Sequence, residues 1–130
     1  MPETGERSKN YQAEPEGGTD AGVVLVYATF PMAETAKAVA RSLVDERLAA
    51  CVNLIPGMTA IYKWEGDVHE DGEVVAIIKT QRSRVDVVFA AVKAAHTFYN
   101  PALLAVDVRD GASANLEWVR AQTALKPSAL

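Results

Sequence analysis

An α+β domain built on one antiparallel sheet is predicted for this 130-residue chain by three features. Apolar residues switch between a period of two and a period of three to four. The segments they define run strand, helix, strand, strand, helix, strand. Short turn dipeptides join the middle two strands. Two βαβ-like halves of this kind fold most simply as a four-stranded antiparallel sheet with both main helices on one face, the ferredoxin-like arrangement.

The elements follow in order. VVLVYATF, Val23 to Phe30, is a nearly continuous apolar run rich in β-branched residues, which suits a central strand covered on both faces. Pro31 opens a helix whose Ala36, Val39, Ala40, Leu43, Val44 and Leu48 form an apolar stripe, with Glu34, Lys37, Arg41 and Asp45 opposite. From Ala50 the period becomes two, so Ala50, Val52 and Leu54 share one face and Cys51, Asn53 and Ile55 the other. Pro56-Gly57 interrupts this ladder, and because MTAIYKW keeps a strand-like composition, a bulge or bend is expected there rather than an end. The turn that follows falls at Glu65-Gly66 or Asp71-Gly72. Local propensity favours Asp-Gly, which suits a type I′ hairpin. GEVVAIIKT is the returning strand in either case.

Ser83 and Asp86 have the spacing of a capping box, and Val85, Val88, Phe89, Val92 and Ala95 give the second helix its buried stripe, with His96 at its end. After the linker TFYNP comes the strand ALLAVDV, then Gly111 and a short helix from about Ser113 anchored by Leu116 and Val119. Residues 1–22 hold one aromatic and no Ile, Leu or Val, so a disordered tail is expected there and one folded domain over 23–130.

Composition narrows the function. There is no apolar core of a signal peptide and no run of about 18 apolar residues, so a cytoplasmic protein without a membrane partner is expected. A formal charge of −4 disfavours nucleic acid, which rewards clustered Lys and Arg. One cysteine allows no internal disulfide. Gly-rich phosphate loops, Gly-x-Ser-x-Gly elbows and Cys-x-x-Cys pairs are all missing from the sequence. Ile61, Tyr62, Trp64, Val74 and Ile77 lie on or beside a hairpin whose edge would template aggregation if left bare, and closed rotational symmetry is one way to cover it.

Four segments, ATFPMAETAKAVARSLVDERLAACVNLIPG, IYKWEG, EVVAIIKT and the His96 to Pro101 linker with the strand after it, together resemble the CutA family of divalent-cation tolerance proteins. The likeness spans about Val23 to Leu125. It implies a ferredoxin-like subunit in a compact homotrimer, similar in architecture to the PII signalling proteins. It also implies that the hairpin turns at Glu65-Gly66, leaving Asp71-Gly72 as a bulge in the third strand. Arms of about fourteen residues exceed the usual five or six, so the outer half should overhang its own domain and pair with a neighbouring subunit.

Candidate chemistry is sparse. Cys51 is read as a soft-metal ligand, a reactive thiol or an inert small strand residue. His69 and its acidic neighbours Asp67, Glu70 and Asp71 read as a solvated strand edge that holds a divalent ion loosely at most. The resemblance points to His96 as a metal ligand, and His96 and Cys51 are each carried as candidates for weak binding of copper or zinc. The positions of two further copper-associated residues of some relatives are Ala28 and Ala95 here, and the linker reads His96-Thr97-Phe98 with Ala102 after the proline. Those departures argue against a tight copper site. Tyr62, Trp64, Glu65 and Lys79 match family positions around an intersubunit cleft, where either Lys79 meets an anionic small molecule and Trp64 forms an apolar wall, or the four residues make an interfacial ion pair and aromatic packing. A non-enzymatic homotrimer that binds metal weakly, or that responds to a ligand as a signalling scaffold, is therefore expected. The rivals are a small enzyme using Cys51 or His96 and a structural trimer that anchors a partner protein through the acidic tail.

Overall fold

The computed structural model describes residues 22–97 and 100–125. The elements are β1 (Val23–Phe30), α1 (Ala33–Asp45), β2 (Cys51–Trp64), β3 (Asp67–Gln81), α2 (Val85–Ala95), β4 (Leu103–Asp107) and α3 (Ser113–Gln122). The expected tail lies outside the described residues, Gly22 excepted. All sheet pairs are antiparallel in the order β2-β3-β1-β4, which is the ferredoxin-like topology with an added C-terminal helix.

Strand alternation decides which side chains meet the helices. Val24, Val26, Ala28 and Phe30 of β1 join Val74, Ala76 and Ile78 of β3 beneath α1 and α2 in the main core. The other face carries a smaller cluster at one end, where Val23, Ala50, Leu116 and Val119 pack under α3. Ala50 thus departs from the expected pairing with Val52 and Leu54, because it precedes the first residue of β2 and the alternation has not yet begun.

Three helix details also differ. Val44 is 44% exposed, since α1 buries only Ala36, Val39 and Leu43 and the next residue round the helix turns to solvent. Ser83 lies in a short 3-10 turn over Arg82–Arg84, so α2 starts at Val85 with Arg84 at its N-cap and no capping box forms. Ala95, expected in the buried stripe, is exposed at the helix end. Asp86 nonetheless occupies the first turn, where the helix dipole favours a negative charge.

The link from α1 to β2 is tightly tied. Arg47 adopts a left-handed φ of 62°, and the Leu48 and Ala49 N–H groups donate to the Leu43 carbonyl at 2.8 and 3.1 Å. The Arg47 guanidinium donates to the carbonyls of Ala121 and Ala124 at 2.8 and 3.2 Å, satisfying acceptors at the end of α3. Fully buried Thr80 donates through Oγ1 to the Leu48 carbonyl at 2.7 Å.

The hairpin of β2 and β3 has arms of 14 and 15 residues. It turns at Glu65-Gly66, whose φ values of 50° and 87° are the two left-handed positions a type I′ turn requires. Asp71 and Gly72 pair regularly with Ala60 and Thr59, so the bulge expected there is not formed. The irregularity is on β2. Ile55 faces Val75 and Met58 faces Glu73, leaving Pro56-Gly57 opposite a single residue. Proline lacks a ladder donor, and Gly57 takes a φ of 77°, which makes this dipeptide the place where an extra residue is least costly.

That extra residue shifts the alternation of β2. Before it, Cys51, Asn53 and Ile55 point away from α1 and α2; beyond it Met58 stands beside Glu73 on that same side, and Ala60, Tyr62 and Trp64 follow it. Leu104 and Val106 of β4, opposite Tyr27 and Leu25, face the same way and are 63% and 56% exposed. An apolar sheet face therefore lies open beyond α3.

Candidate functional site

A cleft of about 700 Å³ opens on that face. Tyr27 and Thr29 of β1 form its floor with Glu73 of β3, and Met58, Ala60, Tyr62 and Trp64 of β2 form a wall. Asn100 and Ala102, just before β4, close the end. The bulge makes this possible, since it carries the even-numbered residues of outer β2 to the side where β1 and β3 present odd-numbered ones.

The cleft is acidic and aromatic. Glu73 is 9% exposed. The Tyr62 hydroxyl donates to Asp71 Oδ2, and its ring stacks on His69 at 5.5 Å between centroids. That hydrogen bond, with lesser contributions from desolvation and the negative charges of Asp71 and Glu73, holds the phenol above its ordinary titration range.

Of the residues singled out from the sequence, Tyr62 and Trp64 meet in this cleft. Glu65 does not, because it occupies the exposed turn. Lys79 sits six residues along β3 from Glu73, roughly 20 Å away on the same strand, where it pairs with Cys51 and Leu25. An anion held between Lys79 and Trp64 of one chain is thus not what the fold builds.

Cys51 and His96 are also kept apart. Cys51 is a free, half-buried thiol on the open face, whereas His96 caps α2 on the helix side, stacked on Phe30 at 5.0 Å between centroids. The His96 Nε2 lies 2.6 Å from the Thr29 carbonyl oxygen, so that nitrogen carries the proton and donates it. No group of three His, Cys, Asp or Glu side chains among the described residues could hold a metal ion. Cys51 and His96 of one chain do not fit a shared copper or zinc site, and neither has the other as base or nucleophile partner.

A sequence profile described as CutA1 divalent ion tolerance protein matches residues 24–122. The chain belongs to this family. A divalent-cation tolerance protein CutA from Thermus thermophilus is 40% identical over 99 residues, covering 76% of this chain and 96% of that protein. The chloroplastic CutA 1 protein of rice is 41% identical over 100 residues, which cover 77% of this chain but only 56% of the rice protein. A crystal structure of CutA1 from Oryza sativa superposes with a TM-score of 0.78 at 38% identity, covering 84% of this chain and all of that one.

The CutA fold also exposes what sequence reasoning overlooked. Glu73 and Tyr27 line the cleft, yet each is embedded in an apolar strand run and reads locally as a strand start or a core aromatic. Only the register of β1 against β3 and β2 brings them together.

No helix among the described residues is long and apolar enough to cross a membrane.

Proposed function

We propose that this CutA chain acts as a homotrimeric, non-enzymatic scaffold for divalent-cation tolerance, responding to a small ligand at clefts along the seams between subunits and contacting metal weakly at most. The observation that carries this reading is the open apolar face: Ile55, Tyr62, Trp64, Leu104 and Val106 are between 41% and 63% exposed on one side of a single sheet, together with hairpin arms that outrun their own domain. Patches of this kind mark interaction surfaces, and threefold closure would cover both sheet edges at once.

A ligand-responsive role is favoured over a metal store by the separation of Cys51 from His96 and by the engagement of His96 Nε2 with Thr29. Cytoplasmic residence is part of the same proposal, supported by a single thiol that remains free. Calorimetric titration of the full chain with Cu(II) and Zn(II) tests it. Shallow isotherms unchanged in Cys51→Ser and His96→Ala are expected. A tight, saturable isotherm abolished by either substitution would replace the scaffold with a metal centre.

A further inference from the structure

We propose that α3 is a releasable strap: it opens as a unit of its own while the rest of the subunit stays folded, and a polar clamp of Arg47, Gln81 and Arg84 at its C-terminal end holds it shut. The inference goes beyond the scaffold reading and does not depend on it.

A helix of 10 residues is too short to persist alone in water, so α3 exists only while docked. Its apolar hold is small. The helix buries Leu116 and Val119, which pack with Val23 and Ala50 in a cluster separate from the main core, with Trp118 only partly covered beside them. Among the described residues, the main core takes nothing from α3. Glu117, Ala121 and Gln122 are exposed on its outer side.

The two ends of the helix are held differently. At the N-terminus Ala112 supplies no side-chain cap, the first turn has no acidic residue, and residues 108–112 lead in from β4 without regular structure. At the C-terminus, carbonyls that the helix itself leaves open are taken by side chains of other elements. The Arg47 guanidinium donates to Ala121 and Ala124, and Arg84 Nε donates to the Thr123 carbonyl at 2.7 Å. Gln81 Nε2 donates to the Arg120 carbonyl at 3.2 Å and to the Thr123 hydroxyl at 2.8 Å. The carbonyl end of a helix carries partial negative charge, so two guanidiniums are favourable there. Arg47 reaches this place from a left-handed φ of 62°, which is unfavourable for any residue but glycine, so the link before β2 holds strain that the clamp offsets.

Such a hold opens more readily than an apolar core. Arg47, Gln81 and Arg84 are all half-buried, and each regains water partners when the helix leaves. Release has a defined consequence, because Val23 and Ala50, 5% and 8% exposed, lie beneath α3. The Val108 N–H donates to the Val23 carbonyl at 3.0 Å, one step along the strands from the pair of Leu25 with Val106. Opening therefore lengthens the bare apolar face of β1 and β4, and the closed strap sets where that face ends.

Amide hydrogen exchange of the full chain, read by mass spectrometry, tests this. Amides of residues 116–123 should exchange faster than those of β1 by roughly tenfold or more, because they open without global unfolding. Arg84→Ala should quicken α3 by roughly tenfold, the loss expected for a hydrogen bond from a charged donor, and Gln81→Ala, which removes no charge, by severalfold. Val92→Ala, which thins the main core away from α3, should quicken β1 by roughly tenfold or more and leave α3 unchanged. Exchange of α3 at the rate of β1 in the unsubstituted chain, or quickening of α3 in step with β1 in Val92→Ala, would overturn the strap. Exchange of α3 untouched by both Arg84→Ala and Gln81→Ala would overturn the clamp.

Discussion

Substituting Leu104→Asp should dissolve the assembly while leaving each subunit folded. Leu104 is 63% exposed on the open face of β4, so the isolated fold gains little from it, and the change should alter subunit stability by about 0.5 kcal/mol or less. If a neighbouring copy covers it, the magnitude is different. Burying a whole leucine side chain contributes about 1.5–3 kcal/mol, so covering the exposed two-thirds contributes about 1–2 kcal/mol per copy and about 3–6 kcal/mol per trimer. Lost from three equivalent sites, this corresponds to roughly a 10²- to 10⁴-fold shift in the association equilibrium. Placing an aspartate carboxylate at each seam adds a desolvation cost in the same direction. Light scattering at micromolar concentration should report a single-chain mass for the variant, with a far-UV circular dichroism spectrum matching wild type. A variant that keeps the wild-type assembled mass would refute the placement of Leu104 at a subunit seam. One that loses its secondary structure would refute the claim that Leu104 contributes little to the isolated fold.

Other outcomes follow from the same geometry. Arg47→Ala should lower stability in chemical denaturation by about 1–2 kcal/mol by uncapping α3, whereas Arg47→Gly should recover about 1 kcal/mol of that loss because glycine adopts the left-handed φ of 62° without strain. Gly66→Val should cost about 1–3 kcal/mol, since its φ of 87° excludes a β-branched residue, and amide exchange should quicken first at the hairpin tip. The Tyr62 phenol is raised from 10.0 by its bond to Asp71, so that bond is fully present below pH 10 and is lost as pH climbs through the raised value. Ultraviolet titration of Asp71→Asn should return this tyrosine toward its ordinary range; an unchanged curve would show that Asp71 is not its partner.

The strongly periodic elements were legible from residues alone. The apolar run at Val23, the stripe of Ala36, Val39 and Leu43, and the anchors Leu116 and Val119 each satisfy local and tertiary preference together. Places where two local signals compete were not legible. Ser83 and Asp86 carry the letters of a capping box, but the chain leaving β3 makes a 3-10 turn first and moves the helix start past the serine. Asp71-Gly72 has the better turn chemistry, yet pairing over the full length of two long strands outweighs one dipeptide and places the turn at Glu65-Gly66. There the resemblance to CutA proteins corrected the local preference, and then misplaced the bulge onto β3. The cleft was half visible. Tyr62 and Trp64 stand out as aromatics on an overlong strand, but Glu73 acquires its meaning only from burial against β1, and burial is a property of three strands in register.

Sedimentation equilibrium of the full chain over a dilution series from micromolar to nanomolar tests most directly whether the open face is an assembly surface. A mass of about 42 kDa, three chains of 14.0 kDa, that holds through the upper part of the series is the predicted result. A stable, folded species of 14.0 kDa at every concentration would contradict it.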